Sequence, residues 1–227
     1  MKKWLKQISV IGTLASIILT NTQVFAEQQG VSSSLGVSAL PYYASADFTP
    51  HWLSPDSVKL ANFHRVSDFS FIDQDAKHVS QNDMQGKIYV ASFFFTSCPG
   101  ICPRMRSQLA KVQAQFIDDN KVSIISHSIQ PKNDTVQVLR EYADKNGVIS
   151  GKWHLVTGER DAIYRLARND YFANEDLGEY VSKKDFLHTE NLVLVDVNRH
   201  IRGVYNGLNN TSVGHLIEDI KTLRSEL

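Results

Sequence analysis

The sequence predicts an α/β domain: a central mixed sheet flanked by helices, with an extra N-terminal hairpin. Three observations predict it. Lys87 to Phe95 is a near-continuous run of apolar, β-branched and aromatic residues after Gly86, the pattern of a parallel strand covered on both faces. Strand-like and helix-like stretches then alternate, which gives βαβ crossovers. Asn191 to Val197 and His200 to Tyr205 flank Asn198-Arg199 as a terminal antiparallel hairpin.

The remaining elements come in order along the chain. Phe69 to Ile72 and Ala76 to Val79 read as short strands around the turn Asp73-Gln74-Asp75. Ile101 to Phe116 carries Met105, Leu109, Val112 and Phe116 at helical spacing, so a helix follows the Lys87 strand. Val122 to Ser128 is the next strand; Asp134-Thr135 opens a helix that Asn146-Gly147 ends. Trp153 to Val156 is a third strand, and Asp161 to Arg168 a further helix. Residues 170–187 are polar and irregular, an insertion, and Thr211 to Leu223 is a closing helix. The order β-α-β-α-β-β-α, with extra N-terminal strands and an insertion, is thioredoxin-like.

Ahead of this domain, Lys2, Lys3 and Lys6 precede an apolar run from Ile8 to Leu19, and Val24-Phe25-Ala26 offers small residues for cleavage. Residues 1–26 therefore read as a secretory signal peptide. The run is shorter than the roughly 20 residues that span a bilayer. Residues 27–60 are a linker and tail rich in Ser, Gly and Ala. The aromatic patch Leu40-Pro41-Tyr42-Tyr43, with Phe48 and Trp52, is expected to lie across the domain formed by residues 61–227. The expected location is outside the cytoplasm, periplasmic in a Gram-negative cell, and membrane-tethered if the leader is retained. The chain has 24 basic and 24 acidic residues among 227, so its charge makes no case for nucleic acid or an anionic membrane surface.

The chain has two cysteines, Cys98 and Cys102. In an oxidising compartment the ordinary reading is a structural disulfide. A ring this short contributes only about 2 kcal/mol on the chain-entropy estimate, against roughly 4.7 for a 100-residue loop, so redox chemistry or metal binding suits the pair better. Both lie where a buried strand turns into a helix, whose N-terminus favours negative charge; both thiolates are expected to be stabilised. One helical turn apart, the sulfurs can face one point and either close as a disulfide or chelate a soft ion.

For copper a third ligand is expected, normally imidazole. Of eight histidines, His188 stands just before the first hairpin strand, in the loop that a thioredoxin-like sheet carries across the cysteine loop. His127, at the end of the neighbouring strand, is the rival, or else a supporting or core histidine. A thiol–disulfide oxidoreductase without obligatory metal is the alternative: Cys98 attacks and Cys102 resolves.

The segment Phe93-Phe94-Phe95-Thr96-Ser97-Cys98-Pro99-Gly100-Ile101-Cys102-Pro103 resembles the signature of the Sco (SenC) family of copper chaperones. Leu187-His188-Thr189 followed by Leu192 to Asp196 resembles that family's ligand histidine and the strand after it. Gln130-Pro131 departs from the Asp-Pro that many members carry. The resemblance implies a thioredoxin fold with one copper per monomer, as Cu(I), Cu(II) or both, held by Cys98, Cys102 and His188. It implies delivery of copper to the dinuclear copper site of cytochrome c oxidase, or reduction of that site's cysteines. The implied partners are a copper-receiving oxidase subunit, or another exported copper protein, and a thiol–disulfide reductant.

Overall fold

The computed structural model describes residues 40–173 and 189–227. The expected leader, the first part of the tail and most of the insertion, with His188, lie outside the described residues.

Seven strands form one mixed sheet in the order β2-β1-β5-β4-β3-β6-β7. They are β1 (Ser70–Asp73), β2 (His78–Ser80), β3 (Ile88–Phe94), β4 (Val122–Ser128), β5 (Trp153–Thr157), β6 (Asn191–Val195) and β7 (Ile201–Asn206). β3, β4 and β5 are parallel, in the register Phe93↔His127 and His127↔Val156. β6 runs antiparallel to β3 (Ala91↔Val193), and β1 antiparallel to both β2 and β5. The helices are α1 (Gln81–Met84), α2 (Cys102–Gln115), α3 (Val136–Asn146), α4 (Arg160–Asn169) and α5 (Asn210–Ser225).

Every residue of β3 and β4 is buried, as central strands with two covered faces require. Alternate side chains divide between two cores. Val90, Phe94 and Ile124 pack with Leu109 and Val112 of α2, Leu139 of α3 and Leu216 and Ile220 of α5. Tyr89, Phe93 and Ile125 pack on the other face with Ile163 and Leu166 of α4. Each such aliphatic side chain, fully buried, contributes about 1.5–3 kcal/mol.

Four local differences from the expected elements stand out. β2 begins at His78 rather than Ala76, because Asp73 Oδ1 accepts the amides of Asp75 (2.9 Å) and Lys77 (3.0 Å), and Ala76 turns with φ +59°. The unexpected turn α1 forms where the Ser80 amide and hydroxyl both donate to Asp83 Oδ2 at 2.7 Å. A 3-10 turn at Val58–Asn62 was likewise not predicted. The third helix starts at Val136 rather than Asp134: Thr135 is extended and its hydroxyl accepts the Val138 amide, which makes it the cap. Gly147, at φ +68°, ends that helix in the left-handed region.

The aromatic tail segment packs at the β7 side of the sheet. Tyr42 bridges to His51, and Tyr43 to Ile201 of β7. Arg202, buried, donates to the carbonyls of Leu40 (2.9 Å) and Pro41 (3.1 Å) and pairs with Asp196 at 3.1 Å. Its guanidinium lies 3.9 Å from the Tyr42 ring centroid.

Candidate metal centre

The cysteine loop is shaped by the strand before it and the helix after it. β3 ends at Phe94, the Cys98 amide donates to the Phe95 carbonyl at 3.2 Å, and α2 opens at Cys102. Pro103 occupies the first helical turn, where a missing N–H costs no hydrogen bond. Both cysteines are free thiols; Cys98 is half-buried and Cys102 buried.

The two sulfurs differ sharply in electrostatics. Burial would raise the Cys98 thiol. The Cys102 amide and thiol and the Gly100 and Ile101 amides donate to its sulfur and outweigh that, so its pKa falls below the ordinary cysteine value. Cys102 is pushed up to about 12 by burial, with its own hydrogen bond to Cys98 and the nearby charges of Cys98 and Asp134 adding to the rise; the Phe95 amide opposes it. The expectation that the helix N-terminus stabilises both thiolates is therefore corrected. Desolvation inside the sheet–helix core keeps Cys102 protonated, and its S–H donates to the Cys98 sulfur.

Below Cys102 lies a cavity of about 20 Å³ lined by Ser92, Met105, Ser126 and Trp153, among others. The Trp153 indole N–H donates to Ser126 Oγ at 2.9 Å, and the hydroxyls of Ser126 and Ser92 are 2.7 Å apart. Such a space admits about one water.

Asp134 was expected only as a helix opener. It is buried, and its carboxylate accepts the Thr96 hydroxyl and the Ser128 hydroxyl, each at 2.5 Å, and the Thr96 amide at 3.2 Å. Nothing in sequence spacing shows a carboxylate reaching back from position 134 to 96. Only the parallel pairing of β3 and β4, with Phe94 opposite Ser128, brings the two loops together.

His127 faces away from the cysteines. Phe94 and Cys102 belong to one core, whereas His127 packs in the other, between Phe93 (5.1 Å), Phe71 (5.7 Å), Phe69 (6.1 Å) and Tyr171 (5.6 Å). It is fully buried; Nδ1 meets the Ser92 carbonyl at 3.3 Å, and Nε2 has no partner among the described residues. Burial lowers its pKa to about 4. His127 is a core histidine.

His188 lies outside the described residues. The chain immediately after it is fixed: Thr189 is buried, and the Glu190 carbonyl accepts the Gly207 amide at 2.8 Å. A Cβ at Gly207 would stand 2.9 Å from that carbonyl, so the approach requires glycine. Among the described residues no three His, Cys, Asp or Glu side chains form a metal-holding group.

A dithiol at the strand-to-helix turn of this sheet, one thiol partly exposed with its pKa lowered and the other buried with its pKa raised, defines the class: a thioredoxin-like dithiol protein. The SCO1/SenC family model matches residues 59–225, and the chain belongs to that family. It is 30% identical over 164 residues to the SCO1 protein homolog of Bacillus subtilis, covering 70% of this chain and 82% of that one. Among solved structures it is similar to BsSco, with 30% identity and a TM-score of 0.60 over 71% of this chain and 94% of that one. BsSco is described as having a disulfide switch and as a member of the Sco family of cytochrome c oxidase assembly proteins. It is also similar to Arabidopsis thaliana ScoI with copper bound, with 27% identity and a TM-score of 0.54 over 70% of this chain and 98% of that one.

Proposed function

We propose that the protein is an exported copper metallochaperone. It takes one copper on Cys98, Cys102 and His188 and passes it to the dinuclear copper site of cytochrome c oxidase or to another exported copper protein. The observation that carries this reading is the Cys102 thiol donating to a Cys98 sulfur already held by backbone amides. Copper is the cargo. Cu(I) binding to this pair displaces whatever protons the two thiols hold, that of Cys102 among them, and leaves two thiolates on the metal, soft donors suited to a soft ion. Two thiolates and one imidazole leave a side open for exchange with a recipient's ligands.

The residues after His188 support it as the third ligand. It directly precedes Thr189, and β6 runs antiparallel to β3, so the chain enters β6 from the end of β3 that carries the cysteines. The copper-bound Arabidopsis relative supports the cargo.

The opposite shifts of the two thiols also favour a second activity of the same site. The Cys98 thiolate attacks a target disulfide and releases one target thiolate. Cys102 then loses its proton and attacks the Cys98 sulfur, releasing the second target thiol and leaving a Cys98–Cys102 disulfide. An external thiol reductant restores the pair. Reduction of a recipient's cysteines in this way prepares them for copper.

The test is copper analysis of the reduced full chain in competition with a Cu(I) chelator. The parent is expected to hold about one copper, and Cys98→Ala, Cys102→Ala and His188→Ala each to hold it at least tenfold more weakly. A His188→Ala protein that holds copper as tightly as the parent removes His188 from the site. A parent that holds none leaves thiol–disulfide exchange alone. Cell fractionation tests export.

A further inference from the structure

We propose that Asp134 is a positioning residue for the Cys98–Cys102 pair: its buried carboxylate fixes Thr96, and through Thr96 the loop that presents both sulfurs. The inference rests on the copper reading for the cargo, but the geometry it concerns exists without metal.

Asp134 is 1% exposed. Its own amide donates to the Gln130 carbonyl at 2.9 Å, and the next residue caps α3, so the side chain starts from fixed backbone. Oδ1 accepts the Thr96 hydroxyl and Oδ2 the Ser128 hydroxyl, each at 2.5 Å. The Thr96 amide sits 3.3 and 3.2 Å from the two oxygens.

The placement of that grip is what matters. The β3–β4 ladder ends with Phe94 opposite Ser128, and the Ile129 amide makes the last bond, to the Phe94 carbonyl at 2.9 Å. Beyond that point the strands part, and Asp134 takes up the Thr96 amide. Thr96 adjoins Phe95, whose carbonyl accepts the Cys98 amide and whose own amide faces the Cys102 sulfur. The tie therefore falls beside the residue that holds both halves of the pair.

A buried carboxylate is costly unless fully hydrogen-bonded. Here three donors converge on one group, and bonds to an ionised acceptor are about twice as strong as neutral ones. The N-terminal end of α3 adds a favourable dipole. A neutral acceptor would meet the local hydrogen-bonding need of Thr96. The charged one makes the loop stiff enough to keep the Gly100, Ile101 and Cys102 amides aimed at Cys98. Release of that loop weakens the amide cradle in the reduced protein and shifts the balance toward the disulfide.

The test is the metal-free equilibrium of the full chain with glutathione, with a chelator present: dithiol plus oxidised glutathione gives the Cys98–Cys102 disulfide plus two reduced glutathiones. Asp134→Ala is expected to favour the disulfide at least tenfold relative to the parent, about 30 mV. Thr96→Ser, which keeps both donors, should stay within twofold of the parent, and Thr96→Val should shift about threefold in the Asp134→Ala direction. A merely structural role would lower the unfolding midpoint and leave this equilibrium alone. A folded Asp134→Ala within twofold of the parent overturns the proposal. If that variant does not fold, Thr96→Val decides, and a value within twofold of the parent overturns it. A parent that holds no copper would discard the cargo reading, while the glutathione equilibrium still judges Asp134.

Discussion

Phe93 and His127 stack across neighbouring parallel strands with ring centroids 5.1 Å apart, on the face of the sheet turned away from Cys102. The imidazole is neutral there because burial lowers its pKa from 6.5 to about 4. The unfolded chain therefore binds the proton first as pH falls. The contribution is fully present above about pH 6.5 and is lost on descending to about pH 4, a change of about 3 kcal/mol. Urea unfolding between pH 7.5 and 4 should show this acid limb, and His127→Phe should flatten it. An unchanged limb in that variant would assign the acid sensitivity elsewhere.

The two cysteines should react in a fixed order. Cys98 has the depressed pKa and the access, whereas Cys102 is buried and pushed up to about 12. Each pKa unit changes the thiolate fraction about tenfold, so iodoacetamide at pH 7 should label Cys98 at least about 100-fold faster than Cys102. Peptide mass analysis of a time course checks the order, and equal rates would contradict the amide cradle.

Arg202→Leu should be among the more damaging substitutions remote from the cysteines. It removes the bonds to the Leu40 and Pro41 carbonyls and leaves the buried Asp196 without its guanidinium. A broken buried pair costs about 3 kcal/mol or more. The amides of Asn198 and His200 still reach Asp196, so the lower end of that range is expected. Denaturation should show the loss, and limited proteolysis should cut within residues 40–52 earlier than in the parent.

Gly147→Ala should destabilise by about 1 kcal/mol, because φ +68° burdens any side chain. No neighbouring atom lies within 4 Å of the added Cβ, so the cost is backbone strain alone. Thr135→Ala at the other end of α3 should cost about as much through the lost cap. Thermal unfolding of the two single variants and the double variant should give nearly additive losses.

The fold was legible wherever local chemistry decides it. The unbroken apolar runs of β3 and β4 and the Asn146-Gly147 stop are local signals, and those elements form within a residue or two of their expected bounds. The cap at Thr135 and the Ser80–Asp83 turn were also written locally, but a four-residue helix carries too little periodicity to stand out. What sequence could not show was direction across the sheet. β4 is covered on both faces, so alternation has no polar side, and only the observed packing puts His127 opposite the cysteines. The same holds for Asp134 and Thr96, which meet because two loops leave adjacent strands at one edge. The unequal thiols arise from how deeply α2 seats Cys102 in the core, a matter of tertiary burial rather than of the spacing of the pair.

The tail bridge at Tyr43 has a consequence for self-association. An open sheet offers two rims at which a foreign strand can add. One rim is β2, only His78–Ser80, too short to template much pairing. The other begins at Ile201, whose carbonyl is already taken by the Tyr43 amide at 3.0 Å. A second copy seeking to extend the sheet there must first dislodge the segment that Arg202 pins, so the anchoring of the tail also guards the protein against strand-to-strand polymerisation.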